Sequence, residues 1–132
     1  MREIDLSTER KTQLLEITRE VEAALNGADG ASAALVFVPH TTAGVTINEH
    51  ADPAVARDLE AAMERMVRED WGWEHIEAGE ENAPSHVRAA LYGPQVLVPL
   101  KDGRLALGTW QGIFFCEFDG PRQRTVYVSA LR

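Results

Sequence analysis

The chain has 132 residues, 45% of them hydrophobic and 26% charged, the proportions of an ordinary globular domain, so disordered and fibrous architectures are excluded and one domain spanning 1–132 is expected. Thirteen lysines and arginines stand against 21 aspartates and glutamates, a formal net charge of −8; that field repels polyanions and argues against nucleic-acid binding, while a few local arginines still suffice for a small anion. A single cysteine, Cys116, a start without an apolar signal core and the lack of any run of about 20 apolar residues predict a cytoplasmic protein with no membrane partner.

In chain order, residues 3–17 mix polar and β-branched positions and predict one or two strands. Thr18 is placed to cap a short helix with Val21, Ala24 and Leu25 on one face, stopped by Asn26-Gly27. The apolar run 33–38, bounded by Gly30 and Pro39, predicts a buried strand, followed by a polar turn over 40–44 and a short strand over 45–47. Asp52-Pro53 is a strong helix start, and Val55, Leu59, Ala62, Met63, Met66 and Val67 recur at helical spacing, so this helix should reach about Glu69. Residues 71–84 form a long connection with four glutamates, a type of segment that is often functional. Ser85 is expected to cap a helix through Tyr92, stopped by Gly93-Pro94. Segments 95–100 and 104–109 flank Lys101-Asp102-Gly103, a hairpin signal, and 113–118 and 125–131 are expected to pair around Asp119-Gly120-Pro121-Arg122. The pattern predicts an α+β fold.

The histidines are His40, His50, His75 and His86. His40 ends a buried strand and opens a turn, a place where side chains emerge from the core. His75 and His86 bracket the acidic connection, and three imidazoles meeting in space would leave open positions on zinc or a similar ion, though no His-x-x-x-His or Cys-x-x-Cys pair is present to build a site along one element. Asn48, Glu49 and Asp52 form a polar cluster in which Glu49 serves either the helix amino end or a histidine N–H. Gly108-Thr109-Trp110-Gln111-Gly112 reads either as a turn or bulge or as a place where Trp110 or Gln111 meets a planar ligand. Arg122 suits a bidentate phosphate contact as well as a turn. Cys116, within Ile-Phe-Phe-Cys-Glu-Phe, is expected to be a buried, inert thiol, and no nucleotide-binding glycine loop or serine-hydrolase elbow occurs.

Pro39-His40-Thr41-Thr42-Ala43, Asn48-Glu49, Asp52-Pro53, Asn82 with His86, Gly93-Pro94, Asp102-Gly103-Arg104-Leu105, the block from Leu107 to Ile113 and Glu117-Phe118-Asp119-Gly120-Pro121-Arg122 together resemble the YjbQ-like family, also labelled secondary thiamine-phosphate synthases. The resemblance spans nearly the whole chain. It implies an α+β fold of mainly antiparallel, sandwich-like sheets with two to three helices, a homotrimer, and a polar pocket between subunits that gathers the histidines. It implies catalytic roles for His40, Glu49, His86 and Arg122, substrate contacts from Thr41, Thr42, Asn48, Asn82, Trp110 and Gln111, and a divalent metal at His40, His75 and His86. Pro84-Ser85 and His50 depart from the family's usual residues. The implied activity joins hydroxymethylpyrimidine diphosphate to a thiazole phosphate and releases pyrophosphate. Arg88, Arg122 and Lys101 are the cations available for a small phosphorylated molecule, and Glu49 or Asp119 suits magnesium, whereas three histidines suit zinc. The alternatives are a metal-dependent hydrolase of another small substrate and a non-catalytic metal- or anion-binding trimer.

Overall fold

The computed structural model describes residues 1–77 and 79–132; within the long connection, Ala78 lies outside the described residues. The described residues build β1 (Arg2–Ser7), β2 (Gln13–Glu16), α1 (Thr18–Ala24), β3 (Ala33–Phe37), β4 (Ala43–Glu49), α2 (Pro53–Met66), α3 (Ala83–Tyr92), β5 (Gln95–Lys101), β6 (Arg104–Leu105), β7 (Gln111–Glu117) and β8 (Gln123–Leu131). A five-stranded sheet runs β1-β8-β3-β5-β6 and a three-stranded sheet β2-β7-β4, and their strand pairs are antiparallel. This is the expected α+β class. Among the described residues no helix is long and apolar enough to cross a membrane.

The two sheets share one core. Leu6, Ala34, Val36, Val98, Val126 and Val128 from the larger sheet meet Ala43, Val45, Ile113 and Phe115 from the smaller, with Val21 and Leu25 of α1 at the side. A second core on the other face of the smaller sheet packs Leu14, Phe114, Cys116 and Phe118 against Met63 and Val67 near the end of α2 and Ala89 of α3. β7 is therefore covered on both faces, which is why its sequence is a continuous apolar run, whereas β8 alternates buried Val126 and Val128 with half-buried Thr125, Tyr127 and Ser129.

Several boundaries differ from expectation. Thr18 does not cap α1: Ile17 holds the cap position, and the Thr18 hydroxyl accepts from Ile113 N–H and donates to Glu16 instead. Asp52 caps α2 as expected, accepting from Ala54 N–H, but α2 stops at Met66, and Met66 is 67% exposed because Glu60 and Met63 take the inward positions. α3 starts two residues before Ser85, whose buried hydroxyl donates to Phe118 O at 2.5 Å. Asp102 and Gly103 both take positive φ, 53° and 76°, the conformation of the tight hairpin that the Asp-Gly pair signals. The strand after them is only Arg104–Leu105. The segments 113–118 and 125–131 do not pair with each other. They lie in different sheets, and the turn between them carries the chain across the sandwich.

Arg88 is not a free cation. It is 1% exposed and donates through Nε to Met63 O and through Nη2 to Val67 O at 3.2 and 2.6 Å; Met63 O also accepts the Val67 N–H, and Val67 O is the carbonyl that the end of α2 leaves open. Arg88→Ala should therefore cost about 3 kcal/mol from an unmet buried carbonyl and a void. Scanning calorimetry should show a melting temperature lower by roughly 10 °C; an unchanged value would contradict this role.

Candidate active site

Three connections cross between the sheets at one end of the sandwich. Backbone bonds from Thr8 N to Arg122 O, from Gly120 N to Lys11 O and from Phe118 N to Thr42 O join them, at 2.9, 3.1 and 3.2 Å. Gly120 permits the approach: a Cβ there would run into the carbonyl oxygen of Arg10. The amino end of α3 arrives at the same place. Between these segments lies a cavity of about 410 Å³ lined by Pro39, His40, Thr41, Thr42, His75, Glu80, Asn82, His86, Asp119, Arg122 and Arg124.

Below the cavity is a buried ion pair. Arg124 and Glu117 are 5% and 0% exposed; Arg124 Nε meets Glu117 Oε1 at 2.8 Å and Nη2 meets Oε2 at 2.5 Å. Glu117 also accepts from the Thr8 hydroxyl and the Asp119 N–H, and Arg124 also donates to the Thr42 hydroxyl. One salt bridge thereby fixes the Thr42 side of the cavity and the Asp119 side together. Burial alone would raise the Glu117 carboxyl, but the Arg124 fork, the Asp119 N–H and the Thr8 hydroxyl outweigh it and hold the group below its ordinary range.

His40 has a backbone task. Continuing the β3–β8 register past Phe37↔Tyr127 sets Pro39 opposite Thr125, but β3 ends at Phe37 and the ladder does not reach that pair. The His40 Nε2 takes up that position, 3.0 Å from Thr125 N and 3.1 Å from Thr125 O. Burial, reinforced by the charge of Arg124, lowers the His40 pKa from its usual value near 6.5. The unfolded chain then takes up this proton before the folded one, so stability from this group is intact above pH about 6.5 and declines as pH falls below it. Urea unfolding of wild type and His40→Gln between about pH 7.5 and 5.5 should show a shallower decline in the variant. Equal slopes would contradict a neutral His40.

On the facing side, Asn82 Oδ1 is 3.1 Å from His75 Nε2, and Asn82 Nδ2 donates to Asp119 Oδ2 at 2.8 Å. The same Asp119 oxygen accepts from Arg122 Nη2 at 2.6 Å. The His75 and His86 rings meet edge to face, 5.3 Å apart. His40, Thr41, Thr42, His75, Asn82, His86 and Arg122 are thus brought together as the sequence suggests.

The remaining expected site residues are elsewhere in the chain. β4 runs away from the cavity, where Ala43 faces Glu117, to Glu49 facing Gln111, six residues or about 20 Å at a strand's rise. Asn48, Glu49, Trp110 and Gln111 are at that far end. Gln111 Oε1 accepts from Gly108 N–H at 2.8 Å and Trp110 is 63% exposed, so within one chain the turn reading of 108–112 holds and these side chains do not line the cavity. Lys101 is on the β5–β6 hairpin and likewise outside the lining. Sequence reasoning does not join Asp119, Arg124 and Glu117 into one site. A signal existed: Arg124 is in step with Val126 and Val128 along β8, and a charge at a core-facing position demands a buried partner.

The expected zinc set is not assembled. Among the described residues no three His, Cys, Asp or Glu side chains converge as ligands, and the Nε2 atoms of His40 and His75 are engaged by Thr125 and Asn82.

A family model described as UPF0047 protein YjbQ-like matches residues 2–132. The UPF0047 protein YugU of Bacillus subtilis (strain 168) is 45% identical over 134 residues, covering 99% of this chain and 98% of its own length. The crystal structure of an uncharacterized conserved YjbQ/UPF0047 family protein from Clostridium acetobutylicum matches with a TM-score of 0.93 at 40% identity, covering 99% of this chain and 100% of that one. That of a conserved hypothetical protein from Thermus thermophilus matches with a TM-score of 0.90 at 39% identity, with the same coverage, 99% and 100%. Sequence and fold agree over the full span of the site, and the chain belongs to the UPF0047 YjbQ-like family.

Proposed function

We propose that the chain is an enzyme acting on a small phosphorylated molecule in the cavity at the sheet crossings, and that the reaction is thiamine-phosphate synthesis. The observation that supports this reading is the gathering of His40, His75, His86, Thr41, Thr42, Arg122 and Arg124 around one cavity in a chain whose net charge is −8. Such donors suit phosphate oxygens at short range despite the global field. In the synthase reaction the C–O bond to diphosphate breaks and its electron pair leaves with the diphosphate, so the requirement is for donors where that charge develops. Arg122, whose side chain is 51% exposed, is free to turn from Asp119 toward the leaving group. Among the described residues the His86 side chain has no hydrogen bond, and it is available to donate or accept a proton.

A homotrimer is part of the proposal. The outer face of the five-stranded sheet carries Leu97, 60% exposed, near half-buried Leu35, Phe37 and Tyr127, an apolar surface that a second copy would bury. Only from a neighbouring copy do Asn48, Glu49, Trp110 and Gln111 gain access to a cavity. Sedimentation velocity should give the trimer mass; a monomer would remove those four residues from the reaction. A second reading is a binding trimer without turnover: both arginines are paired with carboxylates, and while those pairs hold neither is free to stabilise a leaving group. The two purified substrates, incubated with magnesium, decide between them. Thiamine phosphate formed at about 1 per second or faster supports the synthase, and substrate recovered intact supports the binding module.

A further inference from the structure

We propose that His40 and His75 face this cavity in opposite tautomers, His40 as an Nδ1–H donor and His75 with an Nδ1 lone pair, and that Asn82 is the positioning residue for His75. The inference deepens the reading of the same cavity and rests on it only for what binds there.

For His40 the argument starts from Thr125. Its N–H has no strand partner, because β3 ends at Phe37 and no hydrogen bond joins that N–H to the Pro39 carbonyl. That N–H donates to His40 Nε2 at 3.0 Å. Were Nε2 to carry the proton, two N–H groups would face each other and a half-buried backbone donor would be orphaned. Backbone carbonyls go under-satisfied more readily than N–H groups, so the nearby Thr125 O does not reverse the choice. The proton of neutral His40 is therefore on Nδ1.

For His75 the order is set from the far side. The Asp119 carboxylate only accepts, and it already takes Arg122 Nη2. Asn82 must turn its Nδ2 toward that carboxylate, which it meets at 2.8 Å, so Oδ1 is left facing His75 Nε2. An amide oxygen only accepts, so His75 donates through Nε2–H and its lone pair is on Nδ1. An independent observation agrees. Asn82 occupies the cap position of α3 yet makes no side-chain cap bond, the bond an asparagine there ordinarily supplies; its amide is committed to the site instead.

The cavity then presents one neutral donor and one neutral acceptor from different segments. His40 Nδ1–H can hold an anionic oxygen, and His75 Nδ1 can take a proton from a bound group, with the resulting imidazolium kept in place by Asn82.

Nitrogen-15 NMR of histidine-labelled protein, without any ligand and at about pH 8, where ordinary imidazoles are neutral, reads both tautomers directly. Assignments come from His40→Gln and His75→Gln. His40 is expected in the Nδ1–H form and His75 in the Nε2–H form. Asn82→Leu should release His75 to a mixture while His40 stays unchanged as an internal control of the fold. If Asn82→Leu does not fold, Asn82→Ser, too short to reach His75, replaces it. An Nε2–H form of His40, an Nδ1–H or mixed form of His75 in the wild type, or a His75 tautomer indifferent to Asn82 overturns the proposal. No substrate is present, so failure of the synthase reading leaves this outcome untouched.

Discussion

Replacing His86 with alanine is expected to lower thiamine-phosphate formation by about 1,000-fold or more, the scale of a lost proton-transfer group, with little change in melting temperature. The imidazole touches the His75 ring, and among the described residues it has no side-chain hydrogen bond. Its truncation therefore removes little packing, and substitutions of that kind stay within about 0.5 kcal/mol. Parallel kinetics and thermal denaturation separate the two quantities. A melting temperature lower by more than about 5 °C, the scale of a lost core contact, would make His86 a structural residue.

The second large effect is expected at the buried pair. Arg124→Met alone should cost about 3–5 kcal/mol, because it strands the Glu117 carboxylate in a site without solvent. The double variant Arg124→Met with Glu117→Leu should recover most of that loss, since the desolvation of both charges disappears with the attraction. Chemical unfolding of the wild type, both single variants and the pair completes the cycle, and additive losses would contradict a coupled pair. Acid behaviour follows from the same geometry. The folded Glu117 carboxyl titrates below its unfolded value, so its stabilisation is complete above pH about 4.5 and is lost as pH falls through the folded value. The double variant should retain its cavity less well than its fold, because the Thr42 hydroxyl and the Asp119 N–H lose their anchors.

Local signals carried much of this structure. Asp52-Pro53 marked α2 because an Asx cap and an N1 proline act within one turn, and Asp102-Gly103 marked its hairpin because positive φ is a property of the turn itself. The cavity loops were visible as polar punctuation after a buried strand, at His40, and after a long connection, at His86. What escaped depends on partners distant in sequence. That β7 and β8 part into different sheets is decided by β2 and β4 on one side and β1 and β3 on the other. Thr18 and Ser85 looked like caps because their hydroxyls suit helix ends, but Ile113 N–H and Phe118 O compete for them. Arg88 looked like a free cation because its acceptors belong to another helix. Glu49, Trp110 and Gln111 entered the expected site through their local polar and glycine-flanked settings, and Asn48 through family resemblance; their distance from the cavity is set by the length of β4, which no local pattern reveals.

The claim on which the rest depends is that the cavity holds a phosphate group through Arg122. Calorimetric titration of inorganic diphosphate into wild type and Arg122→Leu addresses it without any assumption about turnover. One saturable site per chain is expected in the wild type, weakened by about tenfold or more in the variant, the value of one bidentate contact. Equal affinity in the two proteins, or no saturable binding in either, would contradict the account.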